Sequence, residues 1–139
     1  MDPRDIVDQL QRISFGDDFA TRSGELADRW SDAPDGFDAV EPILCFMESH
    51  PSLDYGMPGP LVHFLETFYG HGYERRLLDS VRRRPTVHTL WMLNRVINGT
   101  ASREERQEFI AAMMEASTNP IAEVETRQRA HHFLDRLPT

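Results

Sequence analysis

The chain has no lysine; all 15 of its basic residues are arginines. That absence excludes a Gly-x-x-x-x-Gly-Lys phosphate loop, whose lysine reaches the nucleotide phosphates. It reads otherwise as a composition bias without functional content. Cysteine is nearly absent too. Cys45 stands alone, so no internal disulfide forms, which suits a reducing compartment. On the spacing of its neighbours, Cys45 reads as a small core residue. No run of about 18 apolar residues occurs, so no helix spanning a membrane is expected. The start, MDPRDIVDQL, lacks the basic and apolar regions of a signal peptide. A cytoplasmic location is the expectation. Gly-x-Ser-x-Gly and His-Glu-x-x-His are both missing. No catalytic residue and no cofactor is therefore expected.

What is present fits a single domain over residues 1–139, with 40% apolar and 27% charged residues. The charge is unevenly placed. Residues 1–69 hold 14 acids against 4 arginines, and residues 70–139 hold 9 acids against 11 arginines. An acidic first half disfavours direct contact with nucleic acid and favours a basic partner.

Helical spacing dominates the pattern. Ile6, Leu10 and Ile13 form one stripe, and Phe19, Leu26 and Trp30 a second, over about Asp17 to Asp32. Ala33-Pro34-Asp35-Gly36 is a turn. Val40, Ile43, Leu44 and Met47 make a third stripe that stops before His50-Pro51. Pro60 opens a fourth helix, with Gly59 as its cap, through Leu61, Leu65 and Phe68, flanked by Val62 and Tyr69. Gly70-His71-Gly72 ends it. Leu77, Leu78 and Val81 mark a fifth, over Tyr73 to Arg83. Thr86 caps a sixth, apolar over most of its circumference and so the most buried, with Asn98-Gly99 as its stop. Ser102-Arg103-Glu104-Glu105 reads as a capping box for a seventh, through Phe109, Met113 and Ala116. Pro120 starts the eighth, with Val124, His131, Leu134 and Leu137 on its stripe. No strand is expected. The fold class is all-α: about eight helices in antiparallel pairs.

A repeat is superimposed on these pairs. Helices stop at Pro51, Pro85 and Pro120, at spacings of 34 and 35. Seven and four residues before each proline stand Leu44/Met47, Leu78/Val81 and Met113/Ala116. One helix pair per 34–35 residues is the period of a short HEAT- or TPR-like solenoid, although the tetratricopeptide signature is missing. The alternative is a non-repetitive bundle with proline stops.

Four side chains read as a structural polar network. His63 and Glu66, three apart, share a helix face. Asn94 lies four after Leu90 and three before Ile97, where a buried amide needs hydrogen-bond partners. The structural reading is that it caps a loop around Asp54–Met57. Arg95, four after Trp91, can lay its stem on the indole. A metal set drawn from His63, Glu66 and His131 or His132 is the less favoured reading, because the spacing is common by chance.

The stretch SLDYGMPGPLVHFLE places two prolines and two glycines in five positions ahead of an apolar helix. Pro58 and Pro60 fix their own φ and restrict the residue before each. The expectation is a stiff loop that presents Asp54 and Tyr55, tyrosine being a frequent interface anchor. The alternative is a sharp inter-helix turn with no such role. The segments YGMPGPLVHFLE and RPTVHTLWMLNRVIN, with the acid-rich start, resemble small all-helical immunity proteins. These are encoded beside toxin domains in bacterial polymorphic-toxin and contact-dependent inhibition systems. The resemblance covers about Pro51 to Asn98, a third of the chain, and transfers no functional residue. It implies a stoichiometric inhibitor that binds one toxin domain and blocks or distorts its active site; the acidic charge of this chain fits a basic toxin domain, such as one that acts on nucleic acid. From charge and predicted turns, the candidate contacts are Asp32, Asp35, Asp38, Asp54 and Tyr55. Two other readings stand beside it: a helical scaffold or adaptor for a regulatory partner, and a metal-dependent helical enzyme.

Overall fold

A computed structural model describes residues 1–137. Among them are eight α-helices and no strand. In chain order they are α1 (Pro3–Ile13), α2 (Phe19–Asp32), α3 (Val40–Ser49), α4 (Gly59–Glu66), α5 (Tyr73–Arg83), α6 (Val87–Gly99), α7 (Arg103–Ser117) and α8 (Val124–Asp135). A single 3-10 turn over Gly36–Ala39 leads into α3. The helices form two compact units, Met1–Arg76 and Leu77–Thr139, with the boundary inside α5.

Local chemistry sets several ends. Asp2 caps α1 by accepting the Arg4 N–H at 2.9 Å, and Pro3 follows where a missing N–H costs nothing. Thr86 and Thr89 form a reciprocal capping box on α6. Ser102 accepts the Glu105 N–H at 3.4 Å to open α7.

In the first unit, α1 and α3 run side by side in the same direction. The Met1 ammonium reaches Asp35 and Asp38 just ahead of α3, while Gln11 and Cys45 share one groove towards the other ends. The second helices follow suit. A Cβ on Gly24 would stand 3.5 Å from Pro60, and one turn and a half later Trp30 meets Phe64 edge to face, centroids 6.0 Å apart. Pair thus stacks on pair, first helix on first and second on second, the arrangement of helical solenoids. The second unit contains an ion pair of α5 with α7, Arg82 Nε to Glu115 Oε2 at 3.2 Å.

The six side chains of the proline-linked pattern are all buried: Leu44, Met47, Leu78, Val81, Met113 and Ala116. They lie on α3, α5 and α7, the first helices of successive pairs. Carried back another 34 residues, the pattern falls on Leu10, fully buried, and Ile13, half-buried, of α1. Nothing in this pairing assigns the stack to the HEAT or TPR class.

Several expectations need correction. Helix α4 includes Gly59, with Pro58 in the cap position and Pro60 in the first turn. Gly99 is the last residue of α6 and does not have positive φ, so Asn98-Gly99 is not a left-handed stop; Thr100 closes the helix, its Oγ1 donating to the Val96 carbonyl at 2.6 Å. Pro120 does not begin α8. It lies in a turn where the Asn119 side chain accepts the Ile121 N–H at 3.0 Å, and the helix starts at Val124. Its buried face is Thr126 and Ala130, whereas Val124 and His131 are exposed. Of the expected stripe, Leu134 and Leu137 are half-buried.

The loop before α4 is compact, but it turns Tyr55 inward. Tyr55 is 2% exposed, its ring edge-on to Phe19 and Phe46, and its hydroxyl donates to the His50 carbonyl at 2.7 Å. Burial pushes its phenol well above the usual range. Gly56 has φ of +87°, and a Cβ there would come within 2.7 Å of Gly59 Cα, so only glycine closes this turn. Asp54 braces it by accepting the Gly56 N–H at 2.9 Å. Tyr55→Phe should cost about 1 kcal/mol by removing one hydrogen bond from the His50 carbonyl, which keeps the Leu53 N–H at 3.4 Å. Tyr55→Ala should cost about 3–5 kcal/mol through the cavity it leaves. Urea unfolding measures both. A loss below about 0.5 kcal/mol for Tyr55→Ala, the range for exposed positions, would contradict this placement.

Candidate functional site

A concave feature lies within the first unit, between α1 and α3. It has a volume of about 530 Å³ and a mainly apolar lining. Pro3, Val7 and Gln11 contribute from α1, a line one residue round from the buried Ile6 and Leu10. Pro42 and Cys45 contribute from α3. The rim is charged: Asp8, Asp38 and Glu41, against Arg4 alone. Arg4 is itself drawn to Asp2, Nε to Oδ1 at 3.7 Å.

The acids are held in defined positions. Glu41 accepts the Cys45 thiol at 3.7 Å and faces Arg76 Nη1 at 3.8 Å. The Met1 ammonium donates to Asp35 Oδ2 at 2.5 Å and lies 3.7 Å from Asp38. That hydrogen bond, with a smaller charge attraction, lowers the Asp35 carboxyl below its ordinary range and raises the amine above its own.

The structure thus brings Asp35 and Asp38 together at the α1–α3 end of the unit. Asp32, the last residue of α2, is exposed just before the same turn. Asp54 and Tyr55 do not belong to this set. They follow α3, whereas Asp38 precedes it, and a ten-residue helix separates them by about 15 Å. Tyr55 is a core residue and presents nothing. The exposed large apolar side chains of this unit are instead Phe15, 95% exposed between α1 and α2, Met57, 76% exposed in the loop that buries Tyr55, and Tyr69, 41% exposed after α4. Asp8, Glu41 and the groove floor escaped the sequence reading. Their signal is a second line on each helix: Pro3, Val7 and Gln11 at four-residue steps, and Asp38, Glu41, Pro42 and Cys45 at three and four. Cys45 is half-buried in the groove rather than in the core.

The expected polar network is divided between the units. His63 is exposed and borders a shallow hollow of about 260 Å³ with Asp28, Ser31 and Thr67. Glu66 accepts the Tyr69 hydroxyl at 2.9 Å. In the second unit, Arg95 lies over the Trp91 ring at 5.1 Å, as their spacing predicts. Asn94 is half-buried, so water reaches part of its amide and its desolvation cost is reduced. His131 and His132 are exposed on α8. Among the described residues, no group of three or more His, Cys, Asp or Glu gathers as a metal set, and no helix is long and apolar enough to cross a membrane.

No family model, curated protein or solved structure matches this chain.

The groove can accept cationic donors along its rim and an apolar side chain on its floor. The terminal ion pair gives a pH signature. Asp35 is lowered, so its contribution is present above the ordinary carboxylate range and is lost as pH falls through the folded value. The amine is raised above 8.0, so its contribution is lost as pH rises through that higher value. Acetylating the amine should shift the Asp35 carboxyl upward, toward its ordinary range, in an NMR titration. An unchanged Asp35 titration would contradict the contact.

Proposed function

We propose that this chain is an immunity-type binding protein. It occupies a basic partner domain, a toxin encoded beside it, and has no chemistry of its own. The observation that carries the reading is the separation of charge. Residues 1–76 hold 15 acids against 6 arginines, and residues 77–139 hold 8 against 9. Three of the first unit's acids, Asp8, Asp38 and Glu41, line a mainly apolar groove. Such a surface attracts a basic domain at long range and desolvates an apolar anchor at contact. The resemblance of the Pro51–Asn98 region to helical immunity proteins supports the same reading.

Stacked helix pairs also favour the adaptor reading, because a stack presents an extended surface to peptides. The two differ in partner number. An inhibitor of this type has one tight partner, and an adaptor has several of modest affinity. Co-expression with the product of the adjacent reading frame separates them. The expected result is growth rescue and a one-to-one complex; no rescue and no complex contradicts the inhibitor reading.

Charge reversal tests the electrostatic part. Asp35→Arg with Asp38→Arg should slow association with that partner about 10-fold at low salt. The difference should shrink at 0.5 M salt, where screening is nearly complete over a few ångströms. Stopped-flow association rates check it, and equal rates at low salt would remove steering from the account.

A further inference from the structure

We propose that the α1–α3 groove is the docking site for a basic amphipathic helix of the partner. The helix seats two or more apolar side chains on Val7, Pro42 and Cys45. Its arginines or lysines reach Asp8, Asp38 and Glu41. This rests on the binding-protein reading above and adds the surface and the chemistry of what fills it.

Length, lining and charge agree on this occupant. From Pro3 to Gln11 the groove follows about 12 Å of α1. A partner helix with apolar residues at i, i+4 and i+7 spaces them over about 10.5 Å, within that length. The floor is mainly apolar and takes those side chains out of water. The rim carries three acids against one arginine, which Asp2 draws aside; Arg76 lies 3.8 Å from Glu41 and the Met1 ammonium 3.7 Å from Asp38, and with Asp2 and Asp35 counted the acids still outnumber these cations. Phosphate-bearing partners meet like charge here, which disfavours nucleic acid and anionic lipid surfaces. Cys45 sits in the floor as a reporter, because any side chain seated there covers its sulfur.

The test uses the full chain and a synthetic 18-residue helical peptide. The peptide has leucines at i, i+4 and i+7, lysines flanking them and alanines elsewhere. Controls are a peptide of the same composition in scrambled order and one with glutamates in place of the lysines. Calorimetry gives affinity, and N-ethylmaleimide alkylation of Cys45 gives occupancy. The patterned peptide should bind at least 10-fold tighter than either control and slow alkylation at least 5-fold. Asp8→Arg and Cys45→Phe should each weaken binding at least 10-fold, while Glu25→Arg on α2, outside the groove, changes it less than 2-fold. Thermal melts confirm that each variant folds, and alkylation of the unaltered chain decides if Cys45→Phe does not. Equal binding of the scrambled peptide overturns the proposal. So do an equal effect of Glu25→Arg, unprotected Cys45, or a groove found occupied by a second copy of this chain in sedimentation.

The groove and the inhibitor reading fail separately. A one-to-one complex with the neighbouring product that leaves Cys45 open refutes the groove and keeps the inhibitor. Groove occupancy by the patterned peptide without any such complex supports the groove and refutes the toxin.

Discussion

A short amphipathic helix cannot hide its apolar stripe alone. The helices here run from eight to fifteen residues, at or below the length at which isolated helices are marginal in water. Each must therefore be covered by a neighbour, and in the first unit a 34-residue spacing supplies one. Leu10 and Leu44 stand 34 apart on α1 and α3, and both are fully buried. Trp30 and Phe64 stand 34 apart on successive second helices and meet edge to face. Once those positions are spent on stacking, what remains on α1 and α3 faces outward. That remainder is where the acids and the groove lie.

The same constraint explains the loop before α4. To stack α4 on α2, the chain must turn sharply after α3. The turn is closed by Gly56 and braced by Asp54, and the Tyr55 ring fills the space beneath it against Phe19 and Phe46. The residues that make the loop stiff are therefore also the residues that bury its tyrosine. A rigid loop here serves the stack, and Met57 is what it leaves outside.

The fold was legible in the sequence because stacking depends on periodicity, which single residues report. Six of the eight stripes fell on buried faces. The fourth did so through Leu61, Val62 and Leu65, but α4 ends at Glu66, so Phe68 and Tyr69 lie beyond it and Tyr69 is exposed. The eighth missed because small side chains, Thr126 and Ala130, form the buried face of α8, and apolar spacing does not report them. The polar pair Trp91 and Arg95 was legible from spacing alone. The groove was legible only in part. Asp35 and Asp38 stood out as acids in a turn, but Asp8, Glu41, Val7 and Cys45 become neighbours only when α1 and α3 lie side by side. Tyr55 was misplaced because residue type suggests an anchor and says nothing about which way a turn points its ring.

Chemical-shift mapping of the ¹⁵N-labelled chain, titrated with the product of the adjacent reading frame, tests the central claim most directly. The account places the perturbed amides on residues 3–11 and 38–45, with attenuated shifts at high salt. Perturbations confined to residues 77–137, with those two segments silent, would contradict it.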